Sequence, residues 1–151
     1  MNGQDLFDYL QGEWEITRKI INKLSPNLNA SALGQATLIK KSENTISYKE
    51  SLIVSWKNGL TTKAYKKYEY LLDKNTGSFS LCEIDNNQSK IMFHLSFDKN
   101  SPNLIKGEYQ CLQDFYRASY EIINKNQFTL LFEVNGPNKT HSIKSKFIRY
   151  Y

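Results

Sequence analysis

Turn-forming clusters cut this chain into runs of roughly ten residues almost from end to end, and that spacing decides most of what it can become. Asn58-Gly59, Lys74-Asn75-Thr76-Gly77, Asp85-Asn86-Asn87, Asn100-Ser101-Pro102-Asn103, Asn124-Lys125-Asn126 and Gly136-Pro137-Asn138 are the clearest breaks. They combine residues that tolerate positive φ with residues that fold their own backbone back. Between them the runs alternate apolar and polar side chains, the period of a half-buried strand. Strands are predicted over 13–23, 34–41, 45–56, 60–72, 77–84, 89–97, 104–112, 115–123, 127–135 and 139–150. Short links permit only antiparallel neighbours, and a long meander closes on itself to remove its edges. The expectation is an all-β, antiparallel up-and-down barrel of about ten strands, one domain over 1–151. A short N-terminal helix with Leu6, Phe7 and Leu10 on one side precedes it.

Composition excludes several alternatives. Twenty basic against fifteen acidic residues give a charge of +5, too mild for a dedicated nucleic-acid binder. The run Lys63 to Tyr68 mixes cations and rings, but alternation splits it between two faces, with Lys63 and Lys67 outside. Cys82 and Cys111 make no Cys-x-x-Cys pair and too few ligands for a metal cage, so no metal is expected. No apolar run reaches the length of a membrane span, and the N-terminus has no signal-peptide pattern. A cytoplasmic protein without cofactor, nucleic-acid or membrane-spanning role is the expectation.

Splitting each strand into faces assigns the more apolar one to the interior. That places Trp14, Ile16, Arg18 and Ile20 together, then Ile46, Tyr48, Glu50, Leu52, Val54 and Trp56, and next Leu60, Thr62, Ala64, Lys66, Tyr68 and Tyr70. Tyr116, Ala118, Tyr120 and Ile122 follow, then Phe128, Leu130, Phe132 and Val134, and His141, Ile143, Ser145, Phe147 and Arg149. In the run around 91, Ile91, Phe93, Leu95 and Phe97 outvote Met92, His94 and Ser96. Charges on apolar faces must be paired, hydrated or ligand-bound, since an unpaired buried ion costs several kcal/mol. Arg18 opposite Glu50 suggests an internal salt bridge, with Lys66 and tyrosine hydroxyls left to meet an anionic group.

A short helix, Gly12-x-Trp14 at the first strand and Arg149 near the end of the last resemble the calycin pattern of lipocalins and fatty-acid-binding proteins. That resemblance implies an arginine lying across the tryptophan, closing the barrel and making Trp14 and Arg149 structural. The wider succession is G-x-W-x-x-x-R-x-I at Gly12 to Ile20, Tyr48-x-Glu50, Phe93-His94, Cys111-x-x-Asp114-x-Tyr116 and Val134-x-Gly136-Pro137-x-Lys139. It resembles the domain of unknown function family 6314 over nearly the whole chain. The family implies a small calycin-like barrel with no established activity, and draws attention to Arg18, Glu50, His94, Cys111, Asp114 and Tyr116. Tyr109 stands where the family pattern has a histidine.

The chemistry of these residues admits bland readings. His94 suggests a general base, or an axial ligand in a haem-binding nitrobindin-like barrel, but a hydrogen-bonded structural histidine is the commoner outcome and a polar interior suits haem poorly. Cys111 with Asp114 suggests a nucleophile, yet a plain buried cysteine and a turn-capping aspartate explain them as well. Glu50 as a general base competes with its pairing to Arg18 or Lys66. The expected function is binding of a small anionic or amphipathic organic ligand inside the barrel, at Arg18, Glu50, Lys66, Tyr68, His94, Tyr116 and Tyr120. The alternative is an acid/base enzyme of isomerase or lyase type in the same cavity.

Overall fold

The computed structural model describes residues 1–150. Helix α1 (Gly3–Leu10) leads into β1 (Gly12–Asn22), β2 (Ala30–Ser42), β3 (Thr45–Trp56), β4 (Thr61–Leu72) and β5 (Phe79–Asp85). Then come β6 (Gln88–Asp98), β7 (Ser101–Cys111), β8 (Asp114–Asn124), β9 (Gln127–Asn135) and β10 (Thr140–Arg149). All ten are antiparallel to their sequence neighbours, and β1 pairs with β10 to close the barrel.

Local chemistry explains the joins. Asn86 and Asn87 both take positive φ, 50° and 63°, giving the two-residue turn that matches strand twist. Asn58-Gly59 works differently from the two-residue hairpin such a pair signals. Gly59 N–H donates to the Trp56 carbonyl at 2.9 Å, Gly59 itself has φ 91°, and Trp56 N–H bonds the Leu60 carbonyl, so the link is a three-residue loop. β2 begins four residues before the predicted 34, because Ala30 already pairs with both Ile20 and Trp56. Its small Ala-Ser-Ala opening carries little strand propensity to reveal this.

One end of the barrel is solid. α1 is held by a capping box between Asn2 and Asp5 and buries Leu6, Phe7 and Leu10 against the barrel end. Trp14 Nε1 donates to the Leu10 carbonyl at 2.9 Å, and Trp14 meets the edge of Phe128 at 4.8 Å between centroids. Phe128 in turn stacks on Phe147 at 4.4 Å. Each such aromatic side chain contributes about 1.5–3 kcal/mol by leaving water. Arg149 lies across Trp14 at 4.1 Å and donates to the carbonyls of Tyr9 and Gln11, both at 2.7 Å, satisfying groups at the helix C-terminus. Gly12 has φ 131°, and the space its Cβ would take holds the Arg149 guanidinium at 2.8 Å, so the motif glycine is required twice over.

The wall is stitched unevenly. β4 and β5 pair only from Tyr68–Glu83 to Leu72–Phe79, and β6 and β7 only from Ser96–Lys106 to Asp98–Ser101. Ile84 and Asp85 of β5 therefore have no partner on β4, and Gln88 to Leu95 of β6 have none on β7. At a bulge, Phe93 sits opposite Leu81 and Ile91 opposite Cys82, leaving Met92 as the extra residue.

Candidate functional site

Above the solid end the barrel is hollow. A cavity of about 320 Å³ opens toward the end opposite α1, at the small end of the range for ligand pockets. Its floor is a polar group built from three strands. Arg18 on β1 reaches over β2 to Glu50 on β3, with Nη1–Oε2 at 2.8 Å and Nη2–Oε1 at 2.9 Å. The inward residues of β2 beneath this bridge are Ala32, Gly34 and Ala36, small enough to leave the path clear. Arg18 Nε donates to Ser145 Oγ at 2.7 Å, and Tyr48 hydroxyl donates to Glu50 at 2.5 Å.

Every member of the group is thereby satisfied, the condition under which buried charge is tolerable. Burial works against the Arg18 charge, but the hydrogen bonds and attraction of Glu50 outweigh it and hold the guanidinium pKa above its usual value. Burial first, then the Glu50 charge, pushes the Tyr48 phenol well above the ordinary range. Beside them the Tyr70 and Tyr120 hydroxyls bond each other at 2.8 Å, and burial raises both.

Nearer the mouth the walls are mixed. Leu81, Leu130, Phe132 and Ile143 supply apolar surface, while Lys66, Tyr68, Glu83, Tyr116 and His141 supply polar groups. Lys66 makes no ion pair among the described residues, and its Nζ sits 5.9 Å from the centre of the Tyr68 ring. Burial, then Lys139, lowers the His141 pKa, favouring a neutral imidazole at the rim. Two cations and two anions line the cavity, and since Arg18 and Glu50 neutralise each other, its free charges are Lys66 and Glu83.

Arg18, Glu50, Lys66, Tyr68, Tyr116 and Tyr120 all line this space. His94 does not, which corrects its assignment to the site. Phe93 and Leu95 are buried on the inner face, so His94 between them points outward, its Nδ1 3.1 Å from the Oγ of buried Ser80. It is in no position to act on the cavity as a base or as an axial ligand. Ile91 is likewise outside, 44% exposed, because the bulge turns Met92 inward instead.

Cys111 is exposed rather than buried, since β7 ends at the open rim. Among the described residues Asp114 makes no turn-capping bond to backbone; it pairs with Lys139 at 3.9 Å and presses against Gly136, where a Cβ would collide with its carboxylate. The Gly136 of the motif is thus the space in which Asp114 sits. Glu83 and Met92 were not foreseen. Alternation from buried Leu81 would have found Glu83, whereas a bulge leaves no periodic signal for Met92.

The chain belongs to the family of unknown function DUF6314, whose profile matches residues 10–149. No curated protein sequence matches it. Among solved structures it is similar to the S-type phycobiliprotein lyase CPES from Guillardia theta. That match has a TM-score of 0.72 and 8% identity, covering 100% of this chain and 94% of the other. EF1p2_mFAP2b bound to DFHBI matches with a TM-score of 0.47 and 12% identity, over 95% and 96% of the two chains. A redesigned β-barrel, mFAP0, also bound to DFHBI, matches with a TM-score of 0.44 and 10% identity, over 93% and 99%. At these identities the likeness to the lyase concerns the fold.

Proposed function

We propose that the barrel binds a small amphipathic organic molecule with a single anionic group in its cavity. The carrying observation is the division of labour among the polar residues. Arg18, Glu50, Tyr48 and Ser145 satisfy one another, while Lys66 stands at the mouth without an acidic partner. A ligand's apolar or aromatic body fits against Leu81, Leu130 and Phe132, and its charged end meets Lys66 with Tyr68 and Tyr116 beside it. Glu83 on the same wall disfavours a polyanion, which would meet a like charge.

An acid/base reaction is less well supported. Glu50 accepts three hydrogen bonds from Arg18 and Tyr48, so taking up a proton means giving up charge-assisted bonds. Native mass spectrometry of freshly purified protein, with an absorption spectrum, looks for a retained ligand directly. In solution, the fluorescent monoanion anilinonaphthalene sulfonate is the probe. Saturable one-to-one binding is expected, weakened about tenfold by Lys66→Met, a loss in keeping with a charge-assisted bond. Leu130→Trp, which fills the space, should abolish it. Binding that survives Leu130→Trp unchanged would rule the cavity out.

A further inference from the structure

Residues 30 to 68 contain seven lysines and two glutamates, while the rest of the chain contains thirteen basic and thirteen acidic residues. The whole formal charge of +5 therefore resides in β2, β3 and most of β4, three adjacent strands of the wall. Neither acid offsets the outer surface. Glu50 is buried against Arg18, and Glu43 sits in the β2–β3 turn at the helix end, held by Lys40 and Lys74. Lys49, Lys57, Lys63 and Lys67 are exposed and make no ion pair among the described residues. Lys49 and Lys67 are direct cross-strand partners, an arrangement that repels unless an anion shares it.

Beside this wall, at the end opposite α1, two loops hold leucines in water. Leu24 and Leu28 between β1 and β2 are 54% and 52% exposed, and Leu60 between β3 and β4 is 63% exposed. The loops are joined, Lys57 N–H donating to the Asn29 carbonyl at 2.9 Å, and both carry a lysine close in sequence to their leucines, Lys23 beside Leu24 and Lys57 shortly before Leu60. Apolar tips grouped with lysines can leave water together without disturbing a strand.

We infer that this wall and its loop tips are a peripheral docking surface for a bilayer rich in anionic lipid. The leucines enter the boundary between headgroups and acyl chains, and the lysines meet the headgroups. All seven cations are lysine. Protein interfaces favour arginine's planar fork and are poor in lysine, whereas a diffuse surface potential needs only point charges. A second copy of the chain would bring the same positive surface against itself. The inference is independent of what the cavity holds.

Co-sedimentation of the full chain with phosphatidylcholine vesicles, with and without phosphatidylserine, tests it. Binding is expected to be at least about tenfold stronger with phosphatidylserine. It should fade as salt rises from roughly 0.05 to 0.5 M and shortens the screening length. The K57E/K63E/K67E variant should lose it, and L24S/L28S/L60S should weaken it, with circular dichroism reporting that both fold. If a triple variant fails to fold, Lys57→Glu and Leu60→Ser alone give the same ordering more weakly. Equal partition onto both vesicle types, or binding that charge reversal leaves unchanged, overturns the inference. So does affinity for polyglutamate with none for vesicles, which would hand the wall to an acidic protein.

Discussion

Arg18 and Glu50 join end to end across an intervening strand, each terminal guanidinium nitrogen on its own carboxylate oxygen. A cation on the apolar face of β1 is thereby matched to an anion on the apolar face of β3. Removing either partner leaves the other buried and uncompensated, at a cost of about 3–5 kcal/mol. Arg18→Met and Glu50→Gln should each destabilise the fold by that order, and the double variant by clearly less than their sum. Urea unfolding of the four proteins measures the cycle; strictly additive losses would mean that the two side chains stand apart in solution.

The bridge needs a low floor. Ala36→Leu on β2 places a branched side chain beneath it, next to Glu50 in register. Overpacking of this kind costs about 1–3 kcal/mol. Arg18→Met should partly relieve that cost by vacating the space, a rescue that thermal unfolding of the combined variant would detect.

At the solid end, Arg149→Lys keeps the charge but cannot span Trp14, Tyr9 and Gln11 together. Loss of the stack accounts for about 0.5–2 kcal/mol, and the unmet helix carbonyls add to it. Lower stability with unchanged ligand affinity is the expected result, measured by denaturation alongside probe titration.

Alkali should unfold the barrel through its tyrosines. Burial pushes Tyr9 up to about 12 and also raises Tyr48, Tyr70 and Tyr120 above the ordinary range, while an unfolded tyrosine ionises near its ordinary value of about 10. Above that value the unfolded state has given up protons that the folded state retains, so stability falls as pH rises toward the folded values. Below it the contribution is complete. Tyr120→Phe should flatten the decline, and phenolate absorbance should rise together with unfolding rather than before it.

The barrel was legible because turn chemistry and alternation agree along nearly the whole chain, and each short link leaves one topology open. The floor of the cavity was legible for a related reason: Arg18 and Glu50 interrupt apolar faces, and a charge in such a place needs a partner. What failed was chemistry inferred from adjacency in a motif. His94 follows Phe93, and the vote that turned Phe93 and Leu95 inward already required His94 to point out. Met92 entered the cavity through a bulge, which breaks the alternation that face assignment relies on. Cys111 looked like a core residue, since cysteine usually is one, but its strand reaches the rim before the core ends.

The sparse pairing on both sides of the β5–β6 hairpin leaves its tip with fewer ladder bonds to its neighbours than the rest of the wall has. That tip can swing away from β4 and β7 without breaking a ladder bond there, while Phe79 and Leu95 stay anchored in the solid half. If the cavity takes the proposed guest, the rim would yield first at this tip while the fold stays closed at its base.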